Sequence, residues 1–104
     1  MTTTYIGRHR NDLPLTTERA AYLIERAYRD LHADLPRYAP VRLADLRARV
    51  DADRALFDQA IATLSRRDGV HLRSQADQKT LTGADHLAAV TVAGTERHTL
   101  YIEP

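Results

Sequence analysis

Phe57, Ala60, Ile61 and Leu64 recur at three- and four-residue intervals until Asp68-Gly69 cuts the rhythm off. Val70-His71-Leu72-Arg73 then alternates apolar and polar side chains. A period of 3.6 that gives way to a period of 2 requires an amphipathic helix, a tight turn and a strand with one buried face. Gly69 suits the left-handed backbone that ends many helices. Asp51 and Asp53 lie just upstream and mark a turn, and Asp53 is a good N-cap for a helix over residues 54–67.

The flanking segments supply the remaining elements. Pro14 precedes Thr16, a capping residue, and Glu18 falls in the first turn of a helix expected over residues 17–33. Ala20, Ile24, Ala27, Tyr28, Leu31 and Leu35 share one face of it. Arg19, Glu25, Arg26, Arg29 and Asp30 take the other. Pro36 and Pro40 stop that helix and hold an extended connection. In PVRLADLRARV, Val41 and Leu43 beat like a strand, and Leu43, Leu46 and Val50 keep the spacing of a short helix.

Downstream, Thr82 and Asp85 have capping-box spacing ahead of Leu87-Ala88-Ala89-Val90, so another short helix is expected, ended or turned at Gly94. Thr95 to Glu103 alternates again, with His98, Leu100 and Ile102 against Arg97, Thr99 and Tyr101. That pattern reads as one closing strand. Residues 1–15 read as a loose polar arm pinned by Tyr5 and Ile6, and residues 16–104 as a single domain.

Composition narrows the function classes. A chain of 104 residues with 43% hydrophobic and 28% charged residues can bury one core. Its net charge of +1 is far from the basic footprint usual for nucleic-acid binders. Every basic residue but Lys79 is Arg, which suits phosphates and carboxylates alike. The absence of Cys removes disulfides, thiolate metal sites and thiol nucleophiles. No signal-like or membrane-length apolar run is present, so a soluble cytoplasmic protein without a membrane partner is the expectation.

The order helix, brief strand, short helix, turn, longer helix ending in Gly, strand, connection, strand resembles the winged helix-turn-helix superfamily. VRLADLRARVDADRALFDQAIATLSRRDGVHLR carries the likeness, through Val41, Leu43, Leu46, Val50, Phe57, Ile61, Leu64, Gly69, Val70 and Leu72. The resemblance implies an α+β fold of three helices and a small antiparallel sheet. One departure stands out. SQADQKTLTGADHLAAVTVAG replaces the short wing and brings a helix of its own.

In that superfamily the helix matching residues 54–67 often enters the major groove of double-stranded DNA. With Phe57 inward, Ala55, Gln59, Ala62 and Arg66 point outward, with Thr63 at the edge. The resemblance then implies Gln59, Thr63 and Arg66 near bases, and Arg47, Arg49, Arg54, Arg67 and Arg73 on phosphates. From Val41 to Lys79 eight basic residues face six acidic ones, so a monomer should hold DNA weakly and a homodimer better.

A second function is a winged helix used as a protein-interaction or small-subunit module of a nucleic-acid-handling complex. The near-neutral charge, the Ala-rich outer helix face and the insert favour it. The insert itself reads either as a docking surface or as a cover completing a thin core. A metal- or ligand-sensing domain is a third, lower-ranked reading. His9, His32, His71, His86 and His98 form no i, i+3 or i, i+4 pair, although His71 and His98 could meet across a strand pair. Neither a metal site, nor a catalytic group, nor a cofactor is expected. An exposed apolar patch on the insert or first helix would favour a protein partner, and a continuous Arg47–Arg49–Arg66–Arg73 strip would favour DNA.

Overall fold

A computed structural model describes residues 15–75 and 77–104. The expected anchors Tyr5 and Ile6 lie outside the described residues. Among the described residues, four α-helices, a three-stranded antiparallel sheet and a two-stranded hairpin make an α+β domain.

Helix α1 (Thr17–His32) starts where Thr16 accepts a hydrogen bond from the Arg19 amide. Strand β1 (Val41–Arg42) leads directly into α2 (Leu43–Arg49), and the chain turns at Asp51 into α3 (Arg54–Ser65). Asp53 caps α3 by accepting from the Leu56 amide at 2.8 Å. The chain leaves α3 through Gly69, whose φ of 80° is the left-handed backbone the sequence requires. Strand β2 (Val70–Arg73) follows. A 3-10 turn at Gln78–Thr80 then leads to α4 (Gly83–Ala88), β3 (Val90–Val92), β4 (Thr95–Arg97) and β5 (Thr99–Ile102).

The main sheet has the order β1-β5-β2, all antiparallel, with Leu100 opposite both Val41 and Leu72. Its inner face meets α1, α2 and α3 over a core of Ile24, Leu43, Leu46, Phe57, Ile61, Leu64 and Leu100, all essentially without exposed surface. Each such side chain contributes about 1.5–3 kcal/mol of burial. That sum outweighs local propensity, because α2 and α4 have only seven and six residues. Helices that short do not persist alone in water.

Two expectations change, and one open alternative is decided. The closing stretch is two strands rather than one: residues 95–97 pair with β3, and only 99–102 join the main sheet. Between them His98 bends the chain, its amide donating to the Arg73 carbonyl and its own carbonyl accepting from Leu43. Of the two roles left open for Gly94, ending a helix or turning the chain, it takes the turn, with Ala93, in the β3–β4 hairpin. Leu35, expected on the apolar face of the first helix, lies beyond its end and is 41% exposed.

Candidate functional site

The outer face of α3 and the insert that runs beside it form the candidate site. Three arginines, Arg42, Arg47 and Arg54, tie the insert to the rest of the domain. Arg42 donates to Asp85 from Nε at 2.9 Å and from Nη2 at 2.8 Å. The other oxygen of Asp85 accepts from the Thr82 amide at 2.9 Å, while the Thr82 hydroxyl accepts from the Asp85 amide, a complete capping box at the start of α4. The Thr82 amide and the Arg42 guanidinium hold the Asp85 carboxyl below its usual range against the opposing effect of burial. The same pair holds the Arg42 guanidinium more firmly protonated.

Arg47 and Arg54 supply the other two ties. Arg47 Nη2 donates to Asp58 at 2.7 Å and to the Ala88 carbonyl at 3.2 Å. Arg54 reaches the carbonyls of Leu87 and Ala89. Both arginines were expected on phosphates. Here their guanidiniums face the α4–β3 junction, and the Arg47 side chain is only 19% exposed.

The remaining expected contact residues are scattered. Arg67 pairs with Glu25 of α1 at 2.7 Å. Gln59 is exposed, and its Oε1 accepts from the Thr17 hydroxyl at 3.4 Å. Thr63 is half-buried and turns its hydroxyl back to the Gln59 carbonyl at 3.0 Å. Arg49, Arg66 and Arg73 are exposed, and their guanidiniums form neither hydrogen bond nor ion pair among the described residues. Arg49 precedes the start of α3, Arg66 follows its end about 18 Å away, and Arg73 lies at the far end of β2. Asp51 and Asp53 stand at the N-terminal end of α3, where a phosphate would otherwise be welcome, and Asp58 in its second turn is paired with Arg47.

An apolar feature stands on the insert, where the sequence left a docking surface and a core cover as alternatives. Between α2 and α4 runs a groove of about 480 Å³ lined by Ala44, Ala48, Ala84, Leu87 and Ala88, with Arg47 and Arg54 along its edge. Leu87 is 73% exposed beside it. In α4 the buried positions are Asp85 and Ala88, three residues apart, so Leu87 falls outside the inward stripe. That spacing was the available signal. The insert therefore divides its apolar residues, with Ala88 and Val90 in the core and Leu87 outside.

The histidines pair differently from the expectation. His71 faces Tyr101 across the sheet and bonds Glu103 at 2.6 Å, far in register from His98. His98 instead meets His86 and Glu96, whose donor atoms lie within 4.8 Å of one another. Glu96 Oε1 is 3.3 Å from His98 Nε2 and 3.6 Å from His86 Nδ1. His98 Nδ1 accepts from the Gln75 amide at 3.0 Å, so the neutral ring carries its proton on Nε2 and directs it at Glu96. The Ala93-Gly94 turn brings this cluster together by folding β4 back beside β3, and the sequence did not announce it.

Among the described residues no helix is long and apolar enough to cross a membrane. No family model, curated protein or solved structure matches this chain.

Proposed function

We propose that this chain is a protein-interaction module on a winged-helix-like scaffold, with the α2–α4 groove and Leu87 as its docking edge. The observation that carries the reading is Leu87 at 73% exposure on an insert that is otherwise tied down by side-chain and backbone hydrogen bonds. A large aliphatic side chain held in water next to an alanine-floored groove loses nothing by finding a partner and gains burial when it does. The sheet order β1-β5-β2 and the α2–turn–α3 arrangement support the winged-helix likeness.

The second reading is weak DNA binding. It is favoured by the exposed guanidiniums of Arg49, Arg66 and Arg73, unpaired among the described residues, together with exposed Gln59. Three separated phosphate contacts give little affinity at physiological salt, and Asp51 and Asp53 at the start of α3 oppose them.

The test places a photocross-linking amino acid at position 87, with position 68 as an exposed control, in cells that express the chain. A protein adduct that forms at 87 and not at 68, and is competed away by excess wild-type chain but not by the folded Leu87→Asp variant, supports the interaction reading. The DNA arm titrates random duplex at low and moderate salt with Arg66→Ala alongside. Binding that falls steeply with salt and weakens in that variant, with no adduct at 87, replaces the first reading by the second.

A further inference from the structure

We propose that His86, Glu96 and His98 form a binding site for a zinc-class divalent cation that fastens α4 to the β3–β4 hairpin. This inference does not rest on the docking edge proposed above.

Geometry carries it. A tetrahedral zinc ion with ligands at 2.0–2.1 Å sets its donor atoms about 3.4 Å apart. Glu96 Oε1 sits 3.3 Å from His98 Nε2 and 3.6 Å from His86 Nδ1, so two edges of that tetrahedron already exist. The three ligands come from different elements: His86 from α4, Glu96 from β4 and His98 from the bend before β5. Two imidazoles and one carboxylate suit zinc, cobalt and nickel, whereas magnesium and calcium prefer oxygen ligands. His98 is 4% exposed and fixed by its surroundings, while His86 and Glu96 are 54% and 53% exposed and leave one side of the site open to a water ligand.

One rearrangement is required. His98 now carries its proton on Nε2, the coordinating atom, because Nδ1 accepts from the Gln75 amide. Coordination moves that proton to Nδ1 through solvent, leaving the charge of the ring unchanged. Nδ1–H then faces the Gln75 N–H, donor against donor, and the Gln75 amide turns away. Metal binding is thereby coupled to the backbone just after β2.

The experiment is a thermal melt of the whole chain with Zn²⁺, with Mg²⁺ and Ca²⁺ as controls, plus Co²⁺ absorption to report tetrahedral geometry. At tenfold excess over Kd, Zn²⁺ should raise Tm by about 5–10 °C. His86→Ala and Glu96→Gln alter exposed side chains and should fold, yet each should weaken the response at least tenfold. His71→Ala, which removes the histidine paired with Glu103, should leave it intact. The Gln75 amide resonance should shift on Zn²⁺ binding. No Zn²⁺ response, a response equal in the His86→Ala variant, one lost in the His71→Ala variant, or a Gln75 amide that does not change overturns the proposal.

Discussion

Arg47 lies over the ring of Phe57, its guanidinium carbon 4.1 Å from the ring centroid, while Nη2 bridges Asp58 and the Ala88 carbonyl. One side chain therefore joins α2, α3 and the insert. Its Nε and Nη1 are buried without a hydrogen-bond partner, so the position is held by the stack and by a single bridging nitrogen. The arrangement explains why an arginine that resembles a phosphate contact in the sequence serves the fold instead.

Arg47→Ala should cost about 1–3 kcal/mol, from a lost cation–π stack and two lost hydrogen bonds. Arg47→Lys keeps the charge but not the flat stack or the forked donors, and should recover less than half of that. Urea denaturation gives the comparison. A variant as stable as wild type would show that Arg47 is held without stabilising anything.

Asp85 is 5% exposed, and its carboxyl is held low first by the Thr82 amide and then by Arg42. Depression below the unfolded value of about 3.9 means the unfolded chain binds a proton first as pH falls. The stabilisation is thus fully present above about pH 5 and is lost as pH drops through the folded value. Asp85→Asn should lower stability by about 1–3 kcal/mol at pH 7 and flatten the stability–pH curve below pH 5. Urea midpoints at pH 7, 5 and 3.5 check both parts.

Ala93 has φ 53° and Gly94 φ 78°, and Val92 pairs with Thr95 across them. Positive φ at both central residues is the signature of the tight hairpin turn that Asn-Gly favours. Ala93 bears the steric strain of that backbone, about 1 kcal/mol. Ala93→Asn should therefore stabilise by about 0.5–1 kcal/mol, seen as a Tm rise of several degrees.

Tyr28 is buried, and its hydroxyl accepts from the Ile102 amide at 3.0 Å and donates to the Ile102 carbonyl at 3.4 Å. Tyr28→Phe leaves that amide without its partner and should cost about 1–2 kcal/mol. Burial, more than the neighbouring Tyr101, pushes the phenol above its ordinary value of about 10. Above that pH the unfolded chain ionises first, so stability falls as pH rises, and the Tyr28→Phe variant should lose that part of the slope. Guanidinium denaturation at pH 8 and 10.5 measures it.

The trihelical core was legible in the sequence because the signals that specify it are local. Asp53 caps α3 from three residues away, Thr82 and Asp85 cap α4 within one turn, and Gly69 takes its left-handed φ at the point where the helical period stops. Phe57, Ala60, Ile61 and Leu64 had to face inward together because 3.6 residues per turn places them on one stripe. The β3–β4 hairpin was not legible. Its strands have three residues each and its turn carries Ala where Asn or Gly would have announced it.

Sequence alone determined the core helices and their caps, since each depends on hydrogen bonds and periodicities spanning a few residues. Tertiary structure decided which arginines reach solvent, that Leu87 faces out, and that His86, Glu96 and His98 converge. An arginine stem is long and flexible, and its head settles wherever acceptors wait. For Arg42 and Arg47 those acceptors lie 43 and 41 residues away along the chain, at Asp85 and Ala88. Only the folded backbone brings such partners within hydrogen-bonding distance, so the same residue type becomes a brace at 47 and an exposed cation at 66.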